Sequence, residues 1–243
     1  MRYILTENTP FLPTGAGCVA ENVYFCQKAL DMADNYLEKR QQELAEQRKT
    51  VVKRKNPSLD TLLHRNRSFR GYDQSRKVTE AELESLVAVT ALVASGMNRQ
   101  VLRYRLVTAD EADKVLPLIK LGAALPEEHL PKPGMEPEAF LVICSAVAED
   151  KVIDIDLGFA GQSILLKATE MGLGGIFILN FQKAALREAL ALPLEPLAVI
   201  AIGKPAEDIF LIPAQGREPD LKYYRKDGVH FVPKLGLEQL IIK

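Results

Sequence analysis

Three short apolar runs place the strongest limit on what this chain can fold into. They are Ala139–Ala146, Ile176–Leu179 and Leu197–Ile202. The first is preceded by a polar residue, and the other two are each bounded by glycine on one side. Short apolar runs of this kind predict buried strands. Segments with helical spacing lie between the runs. This order predicts an α/β or α+β layered domain, because helices cover the faces of such a sheet.

Local signals mark the elements that precede the first run. Ser58 can cap the short helix LDTLLHRN. Thr79 with Glu82 forms a capping box before the apolar segment LESLVAVTALVA, which predicts a second helix. Residues 102–108 alternate like a strand, and residues 110–119 follow a helical pattern.

Similar signals mark the elements that follow the first run. Asp154 or Asp156 can cap a helix that runs to Met171. Residues 183–190 predict a short helix. Near the C-terminus, HFVP is typical of a strand and LEQLIIK of a last helical segment.

The N-terminal region differs from the rest of the chain. Prolines and glycines break regular structure in residues 1–17, whereas Val19 to Lys49 contains neither and predicts one long helix. Basic residues cluster over 48–55. They indicate either a solvated helix that projects or packs on a partner, or a nucleic-acid interface. The second interpretation lacks the aromatic residues on which bases stack.

Composition excludes several classes of protein. The 243 residues carry 31 Lys and Arg against 32 Asp and Glu, so no strong overall field attracts nucleic acid or an acidic membrane. No apolar stretch approaches the roughly 20 residues that a membrane helix needs. The first residues lack the apolar core of a secretion signal. We therefore expect a cytoplasmic protein that binds neither nucleic acid nor membrane.

Cysteine and histidine give no sign of a metal centre. The three cysteines form no C-x-x-C pair, and the three histidines are far apart in the sequence. An odd number of unpaired cysteines is typical of reduced thiols in a cytosol. The sequence predicts no metal site.

The segment Arg67-Ser68-Phe69-Arg70 is the first candidate for chemistry. Guanidinium groups bind phosphate through paired donors, and the serine hydroxyl adds another donor. The segment follows a predicted short helix. Taken alone, it fits a pair of surface arginines on a loop better than it fits a phosphate site.

Three further motifs follow along the chain. Residues 95–100, SGMNRQ, combine small residues with amides that can donate and accept hydrogen bonds. Residues 172–175, GLGG, lead from a helix into a strand, the reverse of the order in a dinucleotide-binding fingerprint. Lys234 follows a proline near the C-terminus. Each of these signals is weak when it is taken alone.

The order and spacing of these motifs resemble the nitroreductase family of FMN-dependent flavoproteins. The resemblance covers residues 58–243 and includes the helical segment DLGFAGQSILL at residues 156–166. It implies an α+β fold, a three-layer α/β/α sandwich with a mainly antiparallel central sheet. It also implies a homodimer with FMN at the interface. Residues 1–57 lie outside the resemblance and are interpreted as an N-terminal extension.

The resemblance also implies roles for particular residues. The FMN phosphate and ribityl chain would be held by Arg67, Ser68 and Arg70, with Lys234 closing over the phosphate. The partner subunit would line the flavin ring with Ser95, Met97, Asn98 and Gln100. The strand end formed by Ile178, Leu179 and Asn180 would lie near the ring.

The implied chemistry belongs to the cofactor. NADH or NADPH would deliver a hydride to the flavin N5 atom and leave, and a nitroaromatic, quinone or similar small-molecule acceptor would then take its place. Such a ping-pong reaction requires no catalytic residue from the protein. The alternatives are a dehalogenase or a flavin-breakdown enzyme on the same fold, and a non-catalytic dimeric protein that binds flavin or a partner.

Four positions bear on cofactor affinity and acceptor choice. Many relatives have arginine where Asn66 stands, and Arg65 could replace that donor. Val101 stands where the family often has proline, and Gly236 stands where it often has another arginine.

The Pro-rich and Gly-rich loop over residues 121–138 is either a lid that selects the acceptor or a plain surface excursion.

Overall fold

Four antiparallel strands form the central sheet of this protein. The computed structural model describes Lys39 and residues 56–242, apart from residues 123, 124 and 217. The predicted N-terminal arm and, except for Lys39, the predicted helix from Val19 to Lys49 lie outside these residues. The extension therefore remains a prediction.

The described residues form five α-helices and seven strands. The helices are α1 Leu59–Arg65, α2 Glu80–Ala88, α3 Lys151–Glu170, α4 Lys183–Ala189 and α5 Leu237–Leu240. The strands are β1 Leu102–Val107, β2 Ala139–Ser145, β3 Gly174–Ile178, β4 Glu195–Gly203, β5 Ile209–Pro213, β6 Tyr224–Lys226 and β7 Val229–Lys234. None of these helices is long and apolar enough to cross a membrane.

The strands form two sheets. The central sheet has the order β1-β2-β4-β3, and all of its neighbours pair antiparallel. The three apolar runs of the sequence form β2, β3 and β4, as predicted. A smaller sheet has the order β5-β7-β6, in which β5 and β7 run parallel. The sequence patterns indicated β7 but missed β5 and β6.

Side-chain alternation along β2 divides the core into two halves. Phe140 and Val142 pack with Leu186 of α4 on one side of the sheet. The intervening Leu141 and Ile143 belong to the other side, where the buried residues of α2 and α3 pack. Successive side chains of a strand point to opposite faces, so a strand buried on both faces is apolar throughout. The predicted three-layer α+β fold with an antiparallel central sheet is confirmed.

Two predicted helix starts are confirmed and a third is wrong. The Ser58 hydroxyl accepts the Thr61 amide, and the capping box before α2 forms as predicted. Asp150, rather than Asp154 or Asp156, caps α3, because its carboxylate accepts the amides of residues 152 and 153 at 2.9 Å. Asp156 instead lies buried inside the helix.

The predicted helix over residues 110–119 does not form. Two short 3₁₀ helices, Ala112–Lys114 and Leu116–Leu118, take its place. Pro117 lacks an N–H and its ring clashes with the preceding turn of an α-helix, which explains the break. The α-helical part of the segment after Thr79 likewise ends at Ala88, and a 3₁₀ turn continues it over Val89–Leu92.

Candidate functional site

The segment from Arg67 to Arg70 lies directly against the start of β3. Ser68 forms a parallel bridge with Gly175, and the Phe69 amide donates to the Gly175 carbonyl at 3.2 Å. A Cβ atom on Gly175 would lie 2.4 Å from the Ala201 carbonyl oxygen, and one on Gly174 would lie 2.6 Å from the Phe69 ring. Only glycine allows so close an approach. The GLGG motif therefore positions the arginine segment.

This segment forms one wall of a cavity of about 320 Å³. Its other walls come from α1, from α3 and from the small sheet. The lining residues are Leu63, Asn66, Arg67, Ser68, Arg70, Gln162, Leu165, Ile209, Tyr223, His230, Val232 and Lys234. The structure thus brings together the four residues that the sequence suggested for phosphate. Within the described chain, no carboxylate lines this cavity.

The cations of the cavity have no counter-ion among the residues that the structure describes. Within the described residues, Arg67, Arg70 and Lys234 form no salt bridge. The Arg67 guanidinium donates to the Leu63 carbonyl, and Arg70 donates to the Ser68 carbonyl at 2.9 Å. The Nε atoms of both arginines are buried and have no partner in the described part of the chain. Burial lowers the pKa of Arg67, yet the side chain stays cationic. An anion would relieve this unbalanced charge.

Glu207 holds the arginine segment in place from behind. One carboxylate oxygen accepts the amides of Arg70 and Gly71, and the other pairs with Arg225. Both side chains of this ion pair are largely buried. Because Arg225 balances Glu207, this carboxylate does not neutralise the cations that line the cavity.

Sequence reasoning missed two aromatic residues of the cavity. Tyr223 stacks beneath the Arg70 guanidinium, 5.2 Å from the ring centroid, and its ring lies 5.1 Å from that of His230. A usable signal was present for one of them. Side chains two apart share a face of a strand, so counting back from Lys234 along β7 leads to Val232 and His230.

The structure also shows where positions that bear on the departures from the family pattern lie. Asn66 lines the cavity, whereas Arg65 is exposed at the end of α1 and does not. Arg65 therefore does not replace a donor at Asn66 in this structure. Gly236 precedes α5 as its N-terminal cap residue.

The SGMNRQ turn is built around a buried carboxylate on α3. Asp156 is only 4% exposed and accepts the Ser95 hydroxyl at 2.7 Å and the Gly96 amide at 2.8 Å. The Ser95 oxygen in turn accepts the Gln100 amide at 3.0 Å. Three non-glycine residues of the turn have φ values near 50°: Met97, Asn98 and Gln100. Left-handed geometry is unfavourable for such residues, so the Asp156 contacts maintain it.

This turn lies apart from the arginine cavity within one chain. Ser95 and Gln100 line a second cavity of about 310 Å³ with Asp156 and Tyr104. Met97 is 80% exposed. Asn98 accepts the Gln100 side-chain amide at 2.8 Å. The four residues that one subunit is predicted to contribute to its partner's flavin site therefore lie together in this turn. They do not lie beside Arg67 and Arg70 of the same chain.

The strand end predicted to lie near the flavin ring is also separate from the cavity. Ile178 is buried in β3, whereas Leu179 is 65% exposed. Asn180 lines a third cavity of about 410 Å³, whose other walls include residues 119–122 and 129–131. At a rise of about 3.3 Å per residue, Leu179 lies about 13 Å along the chain from Gly175.

Comparison with known proteins identifies the family. The family model described as Nitroreductase family matches residues 63–204, more than half of the chain. The fold resembles a crystal structure of a nitroreductase family protein from Clostridium novyi NT, with 18% identity, a TM-score of 0.51, and coverage of 62% of this chain and 86% of that one. It also resembles a nitroreductase family protein from Streptococcus pneumoniae TIGR4, with 14% identity, a TM-score of 0.54, and coverage of 76% and 100%.

No curated protein matches the sequence closely enough to count as a relative. Both solved structures share so little sequence that they support the fold alone. The family model covers α2, α3, the arginine segment and all four strands of the central sheet. This chain therefore belongs to the Nitroreductase family.

Proposed function

We propose that this protein is an FMN-dependent NAD(P)H oxidoreductase. The observation that carries the proposal is the cavity around which Arg67, Ser68, Arg70 and Lys234 converge, with no carboxylate among the described residues that line it. Family membership supports the same assignment.

The residues of the cavity fit the phosphate end of FMN. A phosphomonoester carries close to two negative charges and accepts several hydrogen bonds. Arg67, Arg70 and Lys234 supply the opposite charge, and the buried Nε groups of both arginines supply donors that have no partner within the described residues. The Ser68 hydroxyl adds a neutral donor. Hydrogen bonds of this charge-assisted kind are the strongest that side chains offer.

The remaining residues would serve the flavin ring. A bound FMN would supply the hydride-transfer chemistry, at its N5 atom, between NADH or NADPH and a nitroaromatic, a quinone or a similar acceptor. Backbone amides at the β3 end, from Ile178 to Asn180, would orient the ring edge. Ser95, Met97, Asn98 and Gln100 of a partner subunit would cover the ring and exclude water. No protein residue needs to act as acid, base or nucleophile.

Exposed apolar side chains beside the SGMNRQ turn support a homodimer. Ile155 and Phe159 lie one turn apart on α3 and are about half exposed, and Leu92 and Met97 are exposed nearby in the chain. The Asp156 contacts hold the turn against the same helix. Large apolar side chains that share one exposed face are typical of an association surface. A second copy of this chain would cover them.

Phe159→Glu is expected to weaken dimerisation. A carboxylate within an apolar interface loses its hydration, and a large apolar side chain that acts as an interface hot spot contributes about 2 kcal/mol or more. We expect the dimer Kd to rise by at least about 10-fold in sedimentation equilibrium. Val147→Glu, at an exposed apolar residue outside α3, is the matched control. An unchanged Kd for Phe159→Glu would contradict this interface.

The proposed function is tested by the absorption spectrum of the purified full-length protein. We expect flavin bands that bleach when NADH or NADPH is added without oxygen and return when an acceptor is supplied. If the bands bleach but nitroaromatics and quinones do not restore them, a dehalogenase or flavin-breakdown activity becomes the better assignment. A colourless protein that takes up no FMN would contradict the proposal and favour a non-catalytic binding protein.

The loop over residues 121–138 is the proposed source of acceptor choice. Its described residues Leu121, Leu125, His129 and Leu130 line the cavity of about 410 Å³ that Asn180 also lines. This cavity therefore meets the end of β3 at which the flavin ring is proposed to lie. Its leucine side chains would suit a flat aromatic acceptor.

A further inference from the structure

One buried histidine in the arginine cavity has no role in the proposed function so far. His230 lies in β7, the central strand of the small sheet, and is only 1% exposed. It lines the cavity together with Arg67, Arg70 and Lys234. Its Nδ1 atom is buried and has no hydrogen-bond partner within the described residues. A buried polar atom without a partner is costly, so the site is built to receive one.

The charges around His230 come from several elements. Burial lowers the pKa of the imidazole most, and Arg70 on the arginine segment and Arg225 on β6 lower it further. Glu207 and Glu128 act in the opposite direction. The Tyr223 ring packs against the imidazole, and Lys234 lies two side chains along the same face of β7. Without an anion, His230 is therefore neutral at neutral pH.

We propose that His230 is an additional phosphate-binding residue, which takes up a proton when a phosphomonoester enters the cavity. The inference rests on the proposed function, in which the phosphate of FMN is that group. It adds a fifth side chain to the four that the sequence indicated. It also makes cofactor binding dependent on pH.

The physical reason is a change in the charge beside the imidazole. A dianion within a few ångströms favours the charged form of histidine, which reverses the effect of burial and of the two arginines. The imidazolium donates from both ring nitrogens, so a charged His230 offers a donor to an acceptor-rich ligand in the cavity that it lines. The proton comes from the solvent, and no covalent bond changes.

Calorimetry can count this proton. FMN is titrated into the flavin-free full-length protein at pH 7 in two buffers that differ in ionisation enthalpy. We expect wild-type protein to take up a proton, fractionally or fully, for each FMN, and none for riboflavin, which lacks the phosphate. His230→Gln is expected to lose that uptake and to bind FMN about 10-fold more weakly. His64→Gln, at an exposed histidine of α1, is the matched control.

Ionisation of the FMN phosphate itself does not account for the expected difference in proton uptake between wild type and variant. Its second pKa is about 6, and it contributes equally to wild-type and variant protein. The difference between the two proteins therefore reports on His230. Equal proton uptake by wild type and His230→Gln would overturn the inference while leaving the FMN assignment intact.

A second measurement uses only the wild-type protein, so its result does not depend on whether a variant folds. Nitrogen NMR of the three histidines, in protein labelled at histidine, follows the wild-type chain during titration with inorganic phosphate. We expect one buried imidazole to change from the neutral to the charged pattern. If inorganic phosphate produces this change but FMN does not bind, the anion site stands and the flavoprotein assignment fails. If no histidine responds to phosphate or to FMN, the inference is wrong.

Discussion

Arg67→Gln is expected to weaken FMN binding by about 10- to 100-fold. A hydrogen bond to a charged group contributes about 1.5–3 kcal/mol, and each 1.4 kcal/mol is a factor of ten in Kd. Arg67 has no salt-bridge partner and a buried, unpartnered Nε among the described residues, so most of its charge is available to the ligand. Quenching of flavin fluorescence during titration of the flavin-free protein measures the effect.

Two comparisons isolate the contribution of the phosphate. Arg65→Gln removes an exposed arginine two residues away that does not line the cavity, so its Kd is expected to stay within about twofold of wild type. Riboflavin affinity is expected to be similar in wild type and Arg67→Gln, because riboflavin has no phosphate. Equal losses for FMN and riboflavin would mean that Arg67 supports the fold rather than the phosphate.

Asp156→Ala is expected to destabilise the protein by about 2–4 kcal/mol. The substitution leaves the partly buried Gly96 amide and Ser95 hydroxyl without their acceptor, and an unsatisfied group costs about 1–3 kcal/mol when it is shielded from water. It also removes the support for three residues held at positive φ. Unfolding of the flavin-free protein in urea measures the change.

Two controls accompany this variant: a substitution elsewhere on the same helix and a conservative substitution at Asp156 itself. Asp154→Ala removes an exposed carboxylate from the first turn of α3 and is expected to cost less than about 1 kcal/mol. Asp156→Asn keeps an oxygen for the Gly96 amide and should lie between wild type and Asp156→Ala. If Asp156→Ala unfolds at the same urea concentration as Asp154→Ala, the proposed anchoring of the turn is wrong.

Local patterns predicted those elements whose signals lie within a few residues of one another. The caps at Ser58 and Thr79 are examples, because each bonds an amide three residues away. The same approach failed for Asp156. An acidic residue near a helix start looks like a cap, whereas its actual partners at residues 95 and 96 are about 60 positions distant in sequence. No local pattern reports such a contact.

The same contrast between local patterns and contacts of distant residues applies to the predicted site residues. Arg67, Ser68, Arg70 and Lys234 were chosen by resemblance, and the structure places them around one cavity. The SGMNRQ turn and the β3 end remain predictions, since their proposed ligand would lie between two subunits. The sequence did not indicate Glu207, which is separated from Arg70 by 137 positions.

The sequence by itself determined the buried strands of the central sheet, the helices that begin at capped residues, and the residue types able to bind a phosphate. It could do so because side-chain periodicity and capping act over a few residues. Only the tertiary structure decided that Gly175 admits the arginine segment, that Glu207 orients it, and that His230 lies buried beside it. These features depend on close contacts between distant segments, and burial then determines how strongly each charge acts.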